Sequence, residues 1–202
     1  MRLGVFGGTF DPVHYGHLIL AEQCREQARL DRVLFVPAAR HALKTDHAIT
    51  PFDRRVEMLQ LAIAGHECFG VDELEKGRAG PSYTADTLDE LHAQQPDAEL
   101  FFLVGSDSLP DLPRWHDPQR VVRRAGLIVM ERPGHTVLTR DELAAAVGMP
   151  ASDVRLERVE VPLIDLSSRD IRRRVGAGRS VRYMLPRAVE VYIKEKRLYT
   201  GG

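Results

Sequence analysis

Little in this chain is in excess. No apolar run approaches the roughly 20 residues that a membrane-spanning helix requires, so no span is expected. Cysteine is scarce, with only Cys24 and Cys68 in 202 residues. Each sits in a mainly apolar stretch without a partner at metal-ligand spacing, which argues against a disulfide framework or a thiolate metal site and predicts two reduced core thiols. Neither sign of charge dominates, since 28 Lys and Arg stand against 29 Asp and Glu, a formal net charge of −1. Such balance argues against coating of nucleic acid or of an acidic membrane, so neither is expected as a partner. An anion must then be held by local groups. The first six residues run directly into glycines and are too short for the apolar region of an export signal, so a cytoplasmic location is expected. Repeats and low-complexity segments are lacking, and the length suits a single domain over residues 1–202 with a sizeable core.

What is present is regular alternation. Short apolar runs predict strands at residues 2–6, 32–36, 68–71, 100–104, 127–130 and 154–161. Amphipathic stretches between them predict helices near residues 16–29, 51–64, 84–93, 118–125, 140–147, 168–175 and 186–195. Thr50 before Pro51, with Asp53 in the first turn, reads as a capped helix start, and Ser167 or Ser168 can cap a later one. The alternation implies an α/β fold, a doubly wound and mostly parallel sheet with helices on both faces. Ligands of such sheets bind at the carboxyl ends of the strands, where strand order reverses. Residues 38–49 show no clear period. With Arg40, His41, Lys44 and His47 they form either a loop at the mouth of the site or a solvated surface loop.

The most informative segment follows the first strand: Gly7-Gly8-Thr9-Phe10-Asp11-Pro12-Val13-His14-Tyr15-Gly16-His17. Gly7 and Gly8 allow a sharp turn and a close backbone approach to a ligand. A helix N-terminus offers free N–H groups to phosphate. His14 and His17 are spaced i, i+3, on one side of a first turn if the helix has begun by His14. Two imidazoles there can donate hydrogen bonds to a triphosphate and can carry charge near neutral pH, while Gly16 leaves room for a phosphate. The blander reading is that both histidines cap and pack the helix start. The spacing is neither the Gly-x-Gly-x-x-Gly of a dehydrogenase nor a Walker loop.

A second constellation lies late in the chain. Ser167 and Ser168 open a helix, and Arg172 follows Ser168 by one turn on the same face, where its guanidinium can fork onto phosphate oxygens. Alone, this reads better as a capped, arginine-rich surface helix. In the middle, Gly105 and Asp107 end an apolar strand, a place suited to ribose hydroxyls, although Asp107 can also cap a helix. Trp115, the only tryptophan, stands in a polar segment and reads either as an exposed stacking surface or as a packed side chain. Ser82, Tyr83 and Thr84 open a helix whose N–H groups can receive a carboxylate.

The glycine–histidine segment closely resembles the signature of nucleotidyltransferases with a His-x-Gly-His motif, and within them is most similar to bacterial nicotinate-nucleotide adenylyltransferases. Residues 164–174 resemble the family's Ile-Ser-Ser-x-x-Ile-Arg, with Leu166 for isoleucine and Arg169 where threonine or serine is usual. Residues 81–88 resemble its Ser-Tyr-Thr-x-x-Thr-Leu, residues 112–115 its Leu-Pro-x-Trp, and Lys44 the lysine of a Pro-Pro-His-Lys loop whose prolines are absent here. The resemblance runs from Gly7 to Leu198 and implies a Rossmann-like nucleotidyltransferase fold. It implies transfer of AMP from ATP to nicotinate mononucleotide, forming deamido-NAD and pyrophosphate in NAD biosynthesis. Catalysis would fall to His14, His17 and Arg172. ATP would be held by Gly7, Gly8, Thr9, Phe10, Gly105, Asp107, Ser167 and Ser168, and the mononucleotide by Lys44, Ser82, Tyr83, Thr84 and Trp115. Mg²⁺ would arrive on the ATP phosphates, with no dedicated protein site, and a homo-oligomer is left open. Competing readings are a phosphopantetheine adenylyltransferase, a shorter family with threonine where His14 stands; a preference for nicotinamide mononucleotide; and a nucleotide-sensing module without turnover.

Overall fold

A computed structural model describes residues 1–39, 49–78, 80–131 and 138–200. The strands are β1 (Arg2–Gly8), β2 (Arg32–Pro37), β3 (Phe69–Val71), β4 (Glu99–Gly105), β5 (Gly126–Glu131) and β6 (Leu156–Glu160). The helices are α1 (Tyr15–Gln27), α2 (Phe52–Ile63), α3 (Thr84–Gln94), α4 (Pro118–Arg124), α5 (Arg140–Val147), α6 (Ser168–Gly176) and α7 (Arg187–Glu195). Two short 3₁₀ turns, Leu109–Arg114 and Ala151–Asp153, complete the described elements. The second of them ends just before the stretch read as strand 154–161, of which β6 covers only Leu156–Glu160.

All six strands join one sheet in the order β3-β2-β1-β4-β5-β6, and every described pair is parallel. The expected mostly parallel sheet is therefore wholly parallel among the described strands. Its period-2 pattern splits the core into two layers. Leu3 and Val5 of β1, Leu100, Phe102 and Val104 of β4, and Leu127 and Val129 of β5 pack with α3, α4 and α5 residues such as Leu88, Leu91, Val121 and Leu143. Phe6, Phe101, Leu103, Ile128 and Met130 pack on the other face with Cys24 of α1, Met58 and Leu59 of α2, Ile171 of α6 and Ile193 of α7. Burial on both faces is why β4 reads Leu-Phe-Phe-Leu-Val without a polar residue. Cys24 is buried, which pushes its thiol up to about 12, and both cysteines are free. Among the described residues no helix is long and apolar enough to cross a membrane.

The strand order reverses between β1 and β4, whose register pairs Val5 with Phe102. Crossovers leave β1 toward one side of the sheet and β4 toward the other, so a crevice opens beyond their carboxyl ends. Gly7 and Gly8 end one of these strands and Gly105 ends the other. One local expectation is overturned nearby. α2 starts at Phe52 with Pro51 at its N-cap and no side-chain cap. Thr50 stands one residue too early to cap, and its N–H donates instead to Oδ2 of Asp11 at 3.1 Å.

Candidate active site

The glycines do not make the turn. Gly7 and Gly8 remain extended within β1, and the positive φ falls on Phe10, at 48°. Phe10 folds back beneath the strand end, 2% exposed. Its ring meets Phe6 and Phe35, each at 5.6 Å, and His17 at 5.1 Å, centroid to centroid. A Cβ on Gly8 would lie 2.9 Å from that ring, so glycine here is a close-approach requirement. With its side chain buried, Phe10 can offer a nucleotide only main chain.

α1 begins at Tyr15, later than the two-histidine reading assumed. His14 is its N-cap, with extended φ −145° and ψ 170°. The imidazoles nevertheless come together, stacked with centroids 3.8 Å apart and planes 24° from parallel. The His14 N–H donates to Nδ1 of His17 at 3.3 Å, which leaves the neutral His17 ring its proton on Nε2, a donor. Gly16 does not reserve space for a phosphate, because a Cβ there would sit 2.9 Å from Nδ1 of His14. That space belongs to the His14 ring. Burial lowers His14 to about 4, and burial together with the neighbouring His14 holds His17 well below the usual imidazole range. Both rings are therefore neutral near pH 7 in the unliganded protein, contrary to the expectation of charge.

The late helix is fastened directly onto this early turn. Nη1 of Arg172 donates to the carbonyl oxygen of Asp11 at 2.6 Å. Oγ of Ser168 donates to the carbonyl oxygen of Pro12 at 2.8 Å. Ser167 is the N-cap of α6, its Oγ accepting the Asp170 N–H at 3.1 Å. Arg169 is exposed. A further tie runs from the Tyr15 N–H to the Met184 carbonyl oxygen at 3.1 Å. The two imidazoles and the Arg172 guanidinium thus bracket residues 11–14 from opposite ends of the sequence.

Two buried polar residues behind the turn escaped the sequence reading. Asp11 is 1% exposed and accepts from the Tyr199 hydroxyl at 2.6 Å as well as from Thr50. Arg55 is also 1% exposed and donates to the carbonyl oxygens of Thr50, Thr9 and Ala38 at 2.9, 2.8 and 2.8 Å. The legible signal for Arg55 was an arginine on the apolar face of α2, beside Val56, Met58 and Leu59. Asp11 stands within the glycine–histidine segment, but nothing there pointed to a role for its carboxylate.

Of the expected mononucleotide residues, Tyr83 and Trp115 are brought near one another through His116. Tyr83 is the N-cap of α3, and its ring stacks on His116 with centroids 4.1 Å apart. This contact brings residues 82–84 beside Trp115. Trp115 is half-buried, set edge-on against Phe102 at 5.9 Å and packed on the core, which is the packed reading of the two rather than a freely exposed surface. Its apolar bulk finds a partner that the polar flanking sequence does not reveal. The start of α3 is tied to the end of β2 through buried Glu75, which accepts the Ala39 N–H at 3.2 Å and the Thr87 hydroxyl at 2.6 Å. Asp107 is exposed, and a Cβ on Gly105 would collide with its carboxylate. Ser108, not Asp107, is the N-cap of the 3₁₀ turn that follows. Lys44 lies outside the described residues. Among the described residues no three His, Cys, Asp or Glu side chains cluster as metal ligands.

Comparison with known proteins agrees with this arrangement. Residues 5–174 match the family described as Cytidylyltransferase-like. The "Probable nicotinate-nucleotide adenylyltransferase" of Thermomicrobium roseum is 48% identical over 198 residues, covering 98% of this chain and 91% of the relative. The protein of the same name from Thermus thermophilus is 45% identical over 201 residues, covering 98% and 100%. Among solved structures, Plasmodium falciparum nicotinic acid mononucleotide adenylyltransferase complexed with NaAD superposes with a TM-score of 0.78 at 18% identity, covering 98% of this chain and 97% of that one. At that identity the likeness speaks for the fold, a Rossmann-like nucleotidyltransferase sheet, whereas the two sequence relatives span essentially the whole chain. On that footing the chain belongs to the cytidylyltransferase-like family and, within it, to the nicotinate-nucleotide adenylyltransferases.

Proposed function

We infer that this protein transfers the adenylyl group of ATP to the phosphate of nicotinate mononucleotide, releasing pyrophosphate and forming deamido-NAD in NAD biosynthesis. The observation that carries this reading is the fastening of α6 onto residues 11–12. Through it, Arg172 and Ser168 are bonded to the main chain of the short segment that leads from β1 into the His14–His17 stack, beside the point where strand order reverses.

The acceptor phosphate is ionised at neutral pH and is itself the nucleophile. It attacks the α-phosphorus of MgATP in line, and pyrophosphate leaves. No protein nucleophile or strong base is required, so catalysis rests on positioning and on charge stabilisation in the transition state. Nε2–H of His17 serves as a neutral donor to the reacting phosphate, oriented by the His14 N–H at its other nitrogen. The remaining N–H groups of Arg172 face the departing phosphates, while the Asp11 carbonyl anchors that side chain. A Mg²⁺ arriving on the triphosphate would neutralise phosphate charge there, and would not require a cluster of protein carboxylates to hold it. Gly105, at the carboxyl end of β4, and Asp107 just beyond it suit ribose hydroxyls. The amino end of α3 and the Tyr83–Trp115 side of the crevice suit a carboxylate-bearing pyridine. This reading also places the protein in the cytoplasm.

The test is pyrophosphate release with ATP and Mg²⁺ against nicotinate mononucleotide, nicotinamide mononucleotide and phosphopantetheine. The reading predicts the highest kcat/KM for nicotinate mononucleotide. Equal or greater efficiency with phosphopantetheine, or no release with any acceptor, would contradict it.

A further inference from the structure

The guanidinium of Arg55 is buried, yet among the described residues it makes no hydrogen bond to a carboxylate. All three of its described hydrogen bonds go to main-chain carbonyl oxygens: Thr9 just beyond β1, Ala38 just beyond β2, and Thr50 just before α2. The Phe52 ring lies 5.3 Å from its carbon Cζ. Burying a cation in this way is an inefficient means of adding stability, because a well-packed apolar side chain of similar volume often does as well or better. What an arginine supplies that an apolar residue cannot is a rigid fork, which fixes the separation of the groups it joins. Here those groups are the turn that carries the phosphate-facing histidines and both chain ends flanking residues 40–48.

Asp11 performs the complementary task. One carboxylate oxygen accepts the Thr50 N–H and the other the Tyr199 hydroxyl. Residues 9–12 are therefore held from behind by α2, by the chain before α2 and by the C-terminal segment, while Ser168 and Arg172 hold the same four residues through the Asp11 and Pro12 carbonyls. Residue 55 is 46 positions from Thr9, and Tyr199 is 188 from Asp11. No local propensity could set this turn.

We propose that Arg55 and Tyr199 are positioning residues for the transfer reaction: they act through the main chain of Thr9 and the carboxylate of Asp11 to hold the phosphate turn in register with the flanks of the β2–α2 connection. The proposal rests on the adenylyl-transfer reading above. In-line attack tolerates little displacement, and about 1 Å of misplacement can cost on the order of a hundredfold in rate.

The experiment compares Arg55→Lys and Tyr199→Phe with the wild-type protein, and uses Arg54→Lys, on the exposed side of the same helix, as control. Lysine keeps the charge but cannot fork onto three carbonyls at once, and phenylalanine removes only a hydroxyl. Pyrophosphate release is read as kcat and KM, thermal unfolding by circular dichroism, and amide hydrogen exchange across residues 8–12. For Arg55→Lys we expect kcat to fall at least about tenfold at a temperature where the variant is fully folded, with KM for ATP within about threefold, and faster exchange across residues 8–12. For Tyr199→Phe we expect the same pattern at smaller size, about threefold in kcat. A lowered Tm with wild-type kcat in Arg55→Lys assigns it a purely structural role and overturns the proposal. Should Arg55→Lys fail to fold, Tyr199→Phe decides, and wild-type kcat and exchange in it overturn the proposal. The exchange measurement needs no turnover. If the wild-type protein released no pyrophosphate with any acceptor, the transfer reading would fall, and unchanged exchange in both variants would separately remove the brace.

Discussion

At the scale of single residues, the site depends on burial more than on charge. His14 and His17 are stacked, His17 also lies against Phe10, and burial leaves both imidazoles neutral. This has a consequence for stability. The folded protein holds His14 at about 4, whereas an exposed imidazole titrates near 6.5. Between those values the unfolded chain binds a proton that the folded chain does not. Stability from this group is therefore complete above pH 6.5 and is lost as pH falls toward 4, with His17 adding a contribution of the same sign. Thermal melts of wild type and His14→Gln between pH 7 and pH 4.5 check this. The wild-type Tm should fall more steeply, and parallel curves would mean that His14 is not held as a buried neutral ring. The sequence showed that two histidines stand three apart at a strand end. It did not show their protonation state, because desolvation comes from Phe10 and from the packing of α1, and Phe10 reaches its place only through a left-handed backbone at a residue type that rarely adopts one. Gly16 carried the opposite ambiguity. It signalled a close approach, and only the folded chain identifies the approaching group as the His14 ring and not a ligand.

At the scale of elements, strands were the easiest to read, because a sheet buried on both faces needs unbroken apolar runs, and the residues of β4 and β5 supply them. Helix starts were less legible where proline intervened. Thr50 looks like a cap but precedes a helix that begins two residues later, and its N–H is used by Asp11. The α6 start was ambiguous between Ser167 and Ser168, and the fold gives them separate tasks. Ser167 caps the helix, while Ser168 ties it to Pro12. Replacing Ser167 with alanine should therefore cost about 1 kcal/mol, the usual value of a lost N-cap hydroxyl, read as a lower urea midpoint at unchanged m-value. An unchanged midpoint would show that the α6 cap contributes nothing. The 3₁₀ turn Leu109–Arg114 was not foreseen. Its helical backbone continues through Pro113, so its composition reads as loop, and it is fixed by burial of Leu109 and Leu112 in the first core.

At the scale of the whole molecule, the reversal of strand order between β1 and β4 creates the crevice, and the C-terminal quarter of the chain returns to fasten the segment at the end of β1. The α/β alternation was visible in the sequence. The long-range ties were not, because a carbonyl such as that of Asp11 has no sequence signature of its own. Everything proposed for catalysis requires that the histidine stack and Arg172 act on one triphosphate. The most direct test is His17→Ala, measured by single-turnover formation of the dinucleotide alongside ATP binding. A lost transition-state donor predicts a rate lower by roughly a hundredfold or more, with a much smaller change in the Kd for ATP. A His17→Ala protein that turns over at the wild-type rate would contradict the account.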